Sequence, residues 1–511
     1  MKKILVNVSP WESRVAVFRD NKLVGIHFES KYNHVLERSF FKGKVLKVFP
    51  GIQTAFVDIG QERAGFLHIS EIDRDLALNK VEGVGQLEII ADPETSIGAS
   101  KKRSSDVSMG TILKEGEFIL VQVGKEPISE KGAKLTTCFT VPGRFIVLLP
   151  NINRVAISKK IESREGRQKL KDMIAKHLPE GMGAIIRTSA AVASEDEIYK
   201  DINFLLKDWR EVLKKYETAE KVEQLYQDLD VSLQVVRDHL DRDVEEIITD
   251  NAKNQEHIIK YLKSVAPEYC YRVKLHTDQQ NLFDLYKVEP QIKSALHKKV
   301  MLKSGGSIVI DVTEAMTVID VNTGKFIGKT NQGDTIVKTN LEAAREIACQ
   351  LRLRNIGGLI VIDFIDMENI KDREELVRNF ENLLKEYDKF QSVVLGVSEF
   401  GLVQMTRKRS GKRLTQKFMT TCTSCHGFGM VMSVCSETYF LLRKLKSEIK
   451  EKALTCKDIL LQVSPNVFDF LTSIEYESIL GMERDNDCLI TVESDPMLSI
   501  NSYKIKKNTR K

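Results

Sequence analysis

Residues 357–366, with the sequence GGLIVIDFID, define the centre of this fold. Two glycines precede a continuous apolar run that carries aspartates only at its end, which is the pattern of a buried central strand. Two further strand-like runs, SIVID at 307–311 and MTVIDVN at 316–322, flank a short turn and predict a hairpin. Apolar residues at helical spacing predict a helix over about 340–354. Strand, helix and strand predict a right-handed crossover between adjacent or nearly adjacent strands.

Polar side chains end two strands of this predicted sheet. Asp320 and Asp363 end their strands, and Asn322 shares a face with Asp320. Carboxylates gathered at one edge are unfavourable unless a cation neutralises them, and oxygen ligands without a nearby histidine favour magnesium or manganese over zinc. We interpret the three residues as a metal site for phosphate chemistry. The alternative is that each aspartate only caps or turns its strand, and Asp366 is either an outer ligand or a turn residue.

Residues from Phe40 to about Thr137 contain short strands with turns marked by glycine, and they resemble the S1-type OB-fold, a small barrel that binds RNA. Phe56 and Phe66 are predicted to stack on unpaired bases, unless both belong to the barrel core. Phosphate contacts are expected from three basic residues, Lys42, Lys44 and Arg63.

The regions on either side of the barrel also show clear patterns. The first 38 residues alternate between apolar and polar and predict a hairpin or meander, which is too short to form a core alone. A strand predicted at 244–249 is a candidate to close onto it, giving a discontinuous domain. Ser194 and Glu197 have the spacing of a capping box, which predicts the start of a helix. Its apolar face is predicted to contain Ile198, Ile202, Leu205 and Leu206.

The composition is that of an ordinary globular chain of several domains, with 511 residues, 42% hydrophobic and 29% charged. The net charge of +5 is a mild excess that favours a polyanionic partner without proving one. The start of the sequence has no signal-peptide pattern, and no apolar run approaches the ~18 residues of a membrane span. The eight cysteines are mostly scattered, which is not the pattern of a disulfide framework. We therefore expect a cytoplasmic protein with no membrane segment.

One cysteine pair is closely spaced, in the sequence TCTSCHGFG at 421–429. Cys422 and Cys425 with glycines behind them are typical of a zinc knuckle, but tetrahedral zinc needs four ligands. Either His426 or Cys435 completes the site, or two chains each contribute two thiolates to one ion. The alternative is a pair of free or redox-active thiols.

Four segments together resemble the ribonuclease E/G family. They are KSGGSIVI at 303–310, IDVNTG at 319–324, TNLEAA at 339–344 and GGLIVIDFIDM at 357–367. The resemblance extends over nearly the whole chain. The short C-terminus is more similar to the G branch of the family, because no long scaffold tail follows.

The resemblance implies a catalytic domain similar to deoxyribonuclease I. In it, Asp320 and Asp363 bind Mg²⁺ and Asn322 orients Asp320. It also implies an endoribonuclease that cleaves single-stranded RNA and leaves a 5′-phosphate, with roles in rRNA processing and mRNA decay. A preference for 5′-monophosphorylated RNA would fall on Arg187 and Thr188.

The same resemblance assigns further partners. Lys125 and Lys131 would contact RNA beside Phe56 and Phe66. Cys422 and Cys425 would share a structural Zn²⁺ between chains of a homodimer or a dimer of dimers, through the second of the ligand arrangements above.

The predicted fold class is therefore a multidomain α+β chain. It contains an S1-type OB barrel, a deoxyribonuclease-I-like α/β catalytic domain, a CxxC zinc link and a small C-terminal α/β domain for dimerisation. The predicted boundaries are 1–38 and 233–296 for a discontinuous ribonuclease-H-like domain, 39–137 for the barrel, 138–232 for the 5′-phosphate sensor, 297–417 for the catalytic domain, 418–431 for the zinc link and 432–511 for the small domain.

Two other functions are compatible with these patterns. A non-catalytic RNA-binding or ribosome-assembly protein would use only the barrel and the basic loops. A different metal-dependent phosphoryl-transfer enzyme would act on short nucleotides instead.

Overall fold

A computed structural model describes residues 2–30, 36–72, 108–127, 132–157, 161, 164–323, 332–387, 390–409, 411–450 and 458–507. The chain divides into two compact units, Met1–Gly411 and Lys412–Lys511. Within the described ranges, no helix combines the length and the apolar character needed to cross a membrane.

The first sheet of the larger unit combines strands from two distant parts of the chain. The strand predicted at 244–249 pairs in parallel with the first strand of the protein. Helices Val231–His239 and Ala252–Val265 cover the face on which Ile4 and Val6 are buried. The strands, in spatial order, are Val273–Leu275, Val244–Thr249, Lys2–Val8, Glu12–Arg19 and Lys22–Ser30.

A closed barrel follows, as the sequence predicts. Its strands, in spatial order, are Phe40–Phe49, Thr54–Asp58, Gly65–His68, Lys134–Thr136 and Phe118–Lys125, and the last pairs with the first. The short helix Met109–Ile112 contributes Met109 to the core, and strand Glu223–Tyr226 pairs with the outer edge of Phe40–Phe49. Glycine is required at position 65, where a Cβ would lie 2.5 Å from a Leu135 methyl carbon.

A four-stranded sheet and two helices come next along the chain. The capping box is confirmed, because the Ser194 hydroxyl accepts from the Glu197 N–H and the Glu197 carboxylate accepts from the Ser194 N–H. All four residues of the predicted apolar face are buried. The elements are strands Val141–Pro142, Ile146–Leu149, Val155–Ile157 and Gly183–Ile186, and helices Arg164–His177 and Glu195–Thr218.

The last sheet of this unit has six strands, with two helices packed on one face. The helix predicted at 340–354 is longer than expected, because Ile336 and Val337 also pack against the core and it begins at Gln332. In spatial order the strands are Lys299–Met301, Ser307–Val312, Met316–Asn322, Gly358–Asp363, Leu402–Arg407 and Ser392–Val397. Helices Leu282–Leu285 and Val288–Leu296 precede the sheet, and helices Gln332–Leu353 and Ile370–Tyr387 cover it.

The smaller unit has its own core around a three-stranded sheet, in the order Leu489–Ser494, Asp458–Val463 and Tyr503–Lys507. The basic sequence of residues 504–511 predicts a disordered tail, but this prediction is wrong for residues 504–507, because they pair with the central strand. Residues 508–511 lie outside the described ranges. The helices are Leu414–Phe418, Val434–Lys450, Pro465–Ser473 and Tyr476–Asn486.

Candidate active site at a sheet edge

Asp320 and Asp363 are direct neighbours on adjacent parallel strands. Residues in register point to the same side of a sheet, so both carboxylates lie on the face opposite the two covering helices. The side chains of Met316–Asn322 alternate strictly between exposed and buried. Asp320 and Asn322 are exposed, whereas Ile319 and Val321 are buried. The Asn322 Nδ2 donates a hydrogen bond of 2.7 Å to Oδ2 of Asp320. The three residues predicted from the sequence therefore form one cluster.

The charge of this cluster is not balanced by the described part of the chain. No described residue forms an ion pair with Asp320 or Asp363. Burial, together with the neighbouring carboxylates of Asp320 and Asp366, raises the pKa of Asp363 above its ordinary value. The described residues contain no group of three or more His, Cys, Asp or Glu side chains that could hold a metal ion.

The donor atoms that are present nevertheless fit one kind of ion. Mg²⁺ is commonly bound by one or two carboxylates, with water and substrate phosphate completing an octahedron of oxygens. Asp320 and Asp363 would supply those carboxylates on one open face, and the hydrogen bond from Asn322 fixes the first of them. A hard divalent cation would also remove the repulsion between the two carboxylates.

Asn340 supports this edge, although no role was predicted for it from the sequence. Its side chain is fully buried. Its Nδ2 donates to the Ile365 carbonyl at 2.8 Å, and its Oδ1 accepts from the Ile365 N–H at 3.1 Å. This two-way amide contact fixes the chain just after Asp363. The available signal was an asparagine within the apolar stripe of a helix, because buried polar groups are almost always hydrogen-bonded.

Asp366 is exposed and lies beside Gly401. A Cβ at Gly401 would be 3.3 Å from Oδ1 of Asp366. Gly401 itself has a positive φ of 80°. Asp366 therefore lies close enough to influence Asp363 but belongs to the loop rather than to the strand pair.

On the barrel, Phe56 and Phe66 are direct cross-strand neighbours with ring centroids 6.2 Å apart. Both are half-buried and neither belongs to the barrel core, so the core alternative is wrong. Lys125 is exposed at the end of its strand, and Lys131 lies outside the described residues.

Lys42, from which a phosphate contact was expected, uses two of its three Nζ donors within the protein. Its Nζ donates to the carbonyls of Tyr216 and Ala219 at 3.0 and 2.6 Å, which satisfies the C-terminal end of helix Glu195–Thr218.

Arg187 is held by two acceptors at the end of its strand. Nη1 donates to the Gly143 carbonyl, and Nη2 donates to Oδ1 of Asp238 at 2.8 Å. The same carboxylate accepts from Nε of Arg237 at 3.2 Å. Although burial opposes it, the charges of Arg237 and Arg187 lower the pKa of Asp238. Thr188 follows Arg187 and is exposed.

A second carboxylate fixes the turn that carries Gly143. Asp201 is almost fully buried and accepts hydrogen bonds from the backbone N–H groups of Arg144, Phe145 and Ile146. Burial raises the pKa of Asp201, and these hydrogen bonds oppose that rise. The position of the Arg187 guanidinium therefore depends on two anchored segments rather than on its own strand alone.

Comparisons with known proteins identify the family of this chain. The model described as "Ribonuclease E/G family" matches residues 140–410, and the model described as "RNase E/G, Thioredoxin-like domain" matches residues 421–508. The chain is 35% identical to Ribonuclease G of Escherichia coli K12 over 503 residues, covering 98% of this chain and 99% of that relative. The chain belongs to the ribonuclease E/G family.

Two further relatives in this family define the extent of the similarity. Ribonuclease G of Haemophilus influenzae is 36% identical over 482 residues, covering 94% of this chain and 93% of the relative. Ribonuclease E of Escherichia coli K12 is 36% identical over 455 residues, covering 88% of this chain but only 40% of that longer relative.

The cysteine pair lies in the smaller unit, at the start of the segment matched by the family's thioredoxin-like domain. Hydrogen bonds from the backbone N–H groups of Cys425 and Ser424 lower the pKa of Cys422 and favour its thiolate. His426 adopts a positive φ of 48° in the turn that follows. Cys435 lies at the start of helix Val434–Lys450 and helps to raise the pKa of Tyr439, after the larger effect of Glu475.

Proposed function

We propose that this member of the ribonuclease E/G family is a magnesium-dependent endoribonuclease that cleaves single-stranded RNA and prefers a 5′-monophosphorylated end. Its roles are rRNA processing and mRNA decay, in the cytoplasm. The observation that carries the proposal is the parallel register that makes Asp320 and Asp363 direct neighbours, with Asn322 hydrogen-bonded to the first.

In the proposed mechanism, Asp320 and Asp363 would hold the magnesium ion and Asn322 would fix the rotamer of Asp320. When bound, the ion neutralises charge on the phosphate and makes water a better nucleophile for in-line attack. Asn340 keeps the Asp363 backbone in place. The bond between phosphorus and the 3′ oxygen breaks, so the upstream product ends in a 3′-hydroxyl and the downstream product begins with a 5′-phosphate.

Two other surfaces of the same chain would also contact the RNA, and the first is on the barrel. Phe56 and Phe66 offer ring faces and edges to unpaired bases, and Lys125, together with Lys131, contacts phosphates. This barrel surface would also serve a non-catalytic RNA-binding protein, so it does not by itself favour an enzyme. The paired aspartates separate the two functions, since binding alone does not need them.

The 5′ end would be recognised by Arg187 and Thr188. A guanidinium is a permanently charged, forked donor that suits a terminal phosphate, and a threonine hydroxyl adds a directional hydrogen bond. Two of the donors of Arg187 already hold Gly143 and Asp238, which orients the remaining donors.

Zinc completes the proposal in the smaller unit. Cys422 and Cys425 would supply half of a tetrahedral thiolate site, with the other half from a second copy of the chain in a homodimer or a dimer of dimers. The lowered pKa of Cys422 supports a thiolate ligand. If Cys422→Ser leaves both the zinc content and the oligomeric mass unchanged, this link is wrong.

The catalytic assignment is tested by cleavage of a defined 5′-monophosphorylated oligonucleotide in magnesium. Asp320→Asn and Asp363→Asn are expected to lower the rate by at least about a thousandfold, as removal of a catalytic metal ligand does. Asp311→Asn is the matched control, because Asp311 lies on the adjacent strand of the same sheet and is paired with Lys298 at 2.9 Å. Wild-type rates in either of the first two variants would end the proposal, and RNA binding without any cleavage by the native chain would favour the non-catalytic alternative.

A further inference from the structure

The outer surface of the barrel carries more aromatic side chains than Phe56 and Phe66, the two that were predicted to contact RNA. Four rings follow one another and are called here the aromatic strip: Phe49, Phe56, Phe66 and His68. Successive ring centroids are 5.6, 6.2 and 6.4 Å apart, and the last pair is stacked with an interplanar angle of 24°. All four side chains are half-buried, and none belongs to the barrel core.

A β-bulge brings a lysine beside this strip. Val45 pairs with Val57, and both are buried, but the next pair joins Lys47 to Phe56, so Leu46 is the extra residue. A bulge changes which face the following side chains occupy. Lys47 therefore points outward with Phe56 instead of inward with Val45, and its Nζ lies 5.2 Å from the centre of the Phe49 ring.

A second bulge has the same effect at the other side of the barrel. Val123 pairs with Leu135 in the core, and the next pair joins Lys125 to Lys134, which itself pairs with Phe66. The register thus gives a row across five strands, in the order Lys47, Phe56, Phe66, Lys134 and Lys125. Cations lie at both ends of the row with aromatic rings between them.

We infer that Phe49 and Lys47 extend the RNA-binding surface by a further nucleotide position, with a base against the Phe49 ring and its phosphate near Lys47. The inference rests on the proposed role of Phe56 and Phe66. Aromatic rings with flanking cations bind single-stranded nucleic acid without strong sequence preference, because every base has a π face.

The charged groups near Lys47 and Phe49 include one acid. The Glu115 carboxylate accepts a hydrogen bond from the Val48 N–H at 3.1 Å. Two lysines lie at the other end of the row. Lys134 forms an ion pair with Glu71, whereas Lys125 is exposed. Lys47 and Lys125 thus offer charge at the two ends of the row.

The test measures binding of fluorescent, unstructured RNA to the full-length chain carrying Asp320→Asn, so that no cleavage interferes. Phe49→Leu is expected to weaken binding about tenfold, and Phe49→Tyr to retain it, because the ring is kept. Lys47→Gln is expected to weaken binding several-fold and to reduce the salt dependence by roughly one phosphate contact. Ile52→Ala is the matched control, an exposed apolar residue of the neighbouring turn that is not in the strip.

Phe56→Leu separates failure of this inference from failure of the proposed function. If Phe56→Leu loses binding while Phe49→Leu and Lys47→Gln bind like the parent, the strip ends at Phe56 and the inference is overturned. If Phe56→Leu also binds like the parent, the barrel surface proposed for RNA is wrong as well. Thermal melting of each variant verifies that the barrel is folded.

Discussion

The acidic sheet edge and the network around Arg187 use the same residue types in opposite ways. At the edge, Asp320 and Asp363 face each other with no ion-pair partner among the described residues. Around Arg187, Asp238 is shared between Arg187 and Arg237, and Arg237 also contacts Asp228 at 3.3 Å. The first arrangement leaves negative charge that a bound cation can neutralise. In the second, the carboxylates are paired with arginines of the same chain and hold the Arg187 guanidinium in place.

This contrast identifies what each region needs from outside. Two like charges at paired positions of adjacent strands repel each other, so a bound cation would stabilise the sheet edge more than the Arg187 network. Oppositely charged groups that are buried together depend on each other, and removing one leaves the other uncompensated. Mutations of aspartate should therefore have opposite effects on stability in the two regions.

The largest effect on stability is expected at Asp228. Its side chain is 4% exposed and that of Arg237 is 2% exposed. Asp228→Ala should destabilise the larger unit by about 3 kcal/mol, because it leaves a buried guanidinium with fewer partners. Asp363→Ala should leave the melting temperature of the magnesium-free protein unchanged or raise it. Thermal melting of both variants measures this, and equal destabilisation would remove the distinction between the regions.

A smaller effect is expected on the choice of RNA end. Asp238→Asn retains the shape of the side chain but loses the charge that orients Arg187. We expect the preference for 5′-monophosphate over 5′-hydroxyl RNA to fall about tenfold, in line with a charged hydrogen bond of ~1.5 kcal/mol. Cleavage of 5′-hydroxyl RNA should change little.

Two reference variants make that measurement decisive. Arg187→Ala should abolish the preference altogether. Asp230→Asn is a matched control, because Asp230 caps the N-terminus of the helix that contains Asp238 and does not contact Arg187. An unchanged preference in Asp238→Asn, with a lost preference in Arg187→Ala, would show that Asp238 does not position the arginine.

The smallest expected effect is on the pH dependence of stability. The pKa is shifted in opposite directions in the two regions. The pKa of Asp363 is raised, so its contribution to stability is greatest below the unfolded value of 3.8 and is lost as the pH rises through the folded pKa. The pKa of Asp238 is lowered, so its contribution is present above 3.8 and is lost as the pH falls through the folded pKa.

NMR titration of aspartate carboxyl carbons in the magnesium-free protein measures both values. Asp363 should titrate at higher pH than an ordinary aspartate and Asp238 at lower pH. Saturating magnesium should lower the first and leave the second unchanged. The same pKa for both residues would contradict the contrast.

Much of the fold was predictable where the signal is local. The capping box at Ser194 depends on residues three apart, and the central strand at 358–363 depends on a continuous apolar run. The expectation that this strand is buried is wrong for one face, because Leu359 is exposed there. Lys42 shows the limit of such reasoning, because its contacts are with Tyr216 and Ala219, far away in the chain. The length of helix Gln332–Leu353 was underestimated for a related reason, since packing on the core lengthens its apolar stripe.

The sequence by itself determined which residues end the strands, and therefore that Asp320, Asn322 and Asp363 are candidates for one site. Only the tertiary structure decided that Asp320 lies opposite Asp363, that Asn340 fixes the following loop, and that bulges turn Lys47 and Lys125 outward. The physical reason is that strand propensity comes from neighbours along the chain. Register, bulges and buried hydrogen bonds are set by packing between segments that the sequence places far apart.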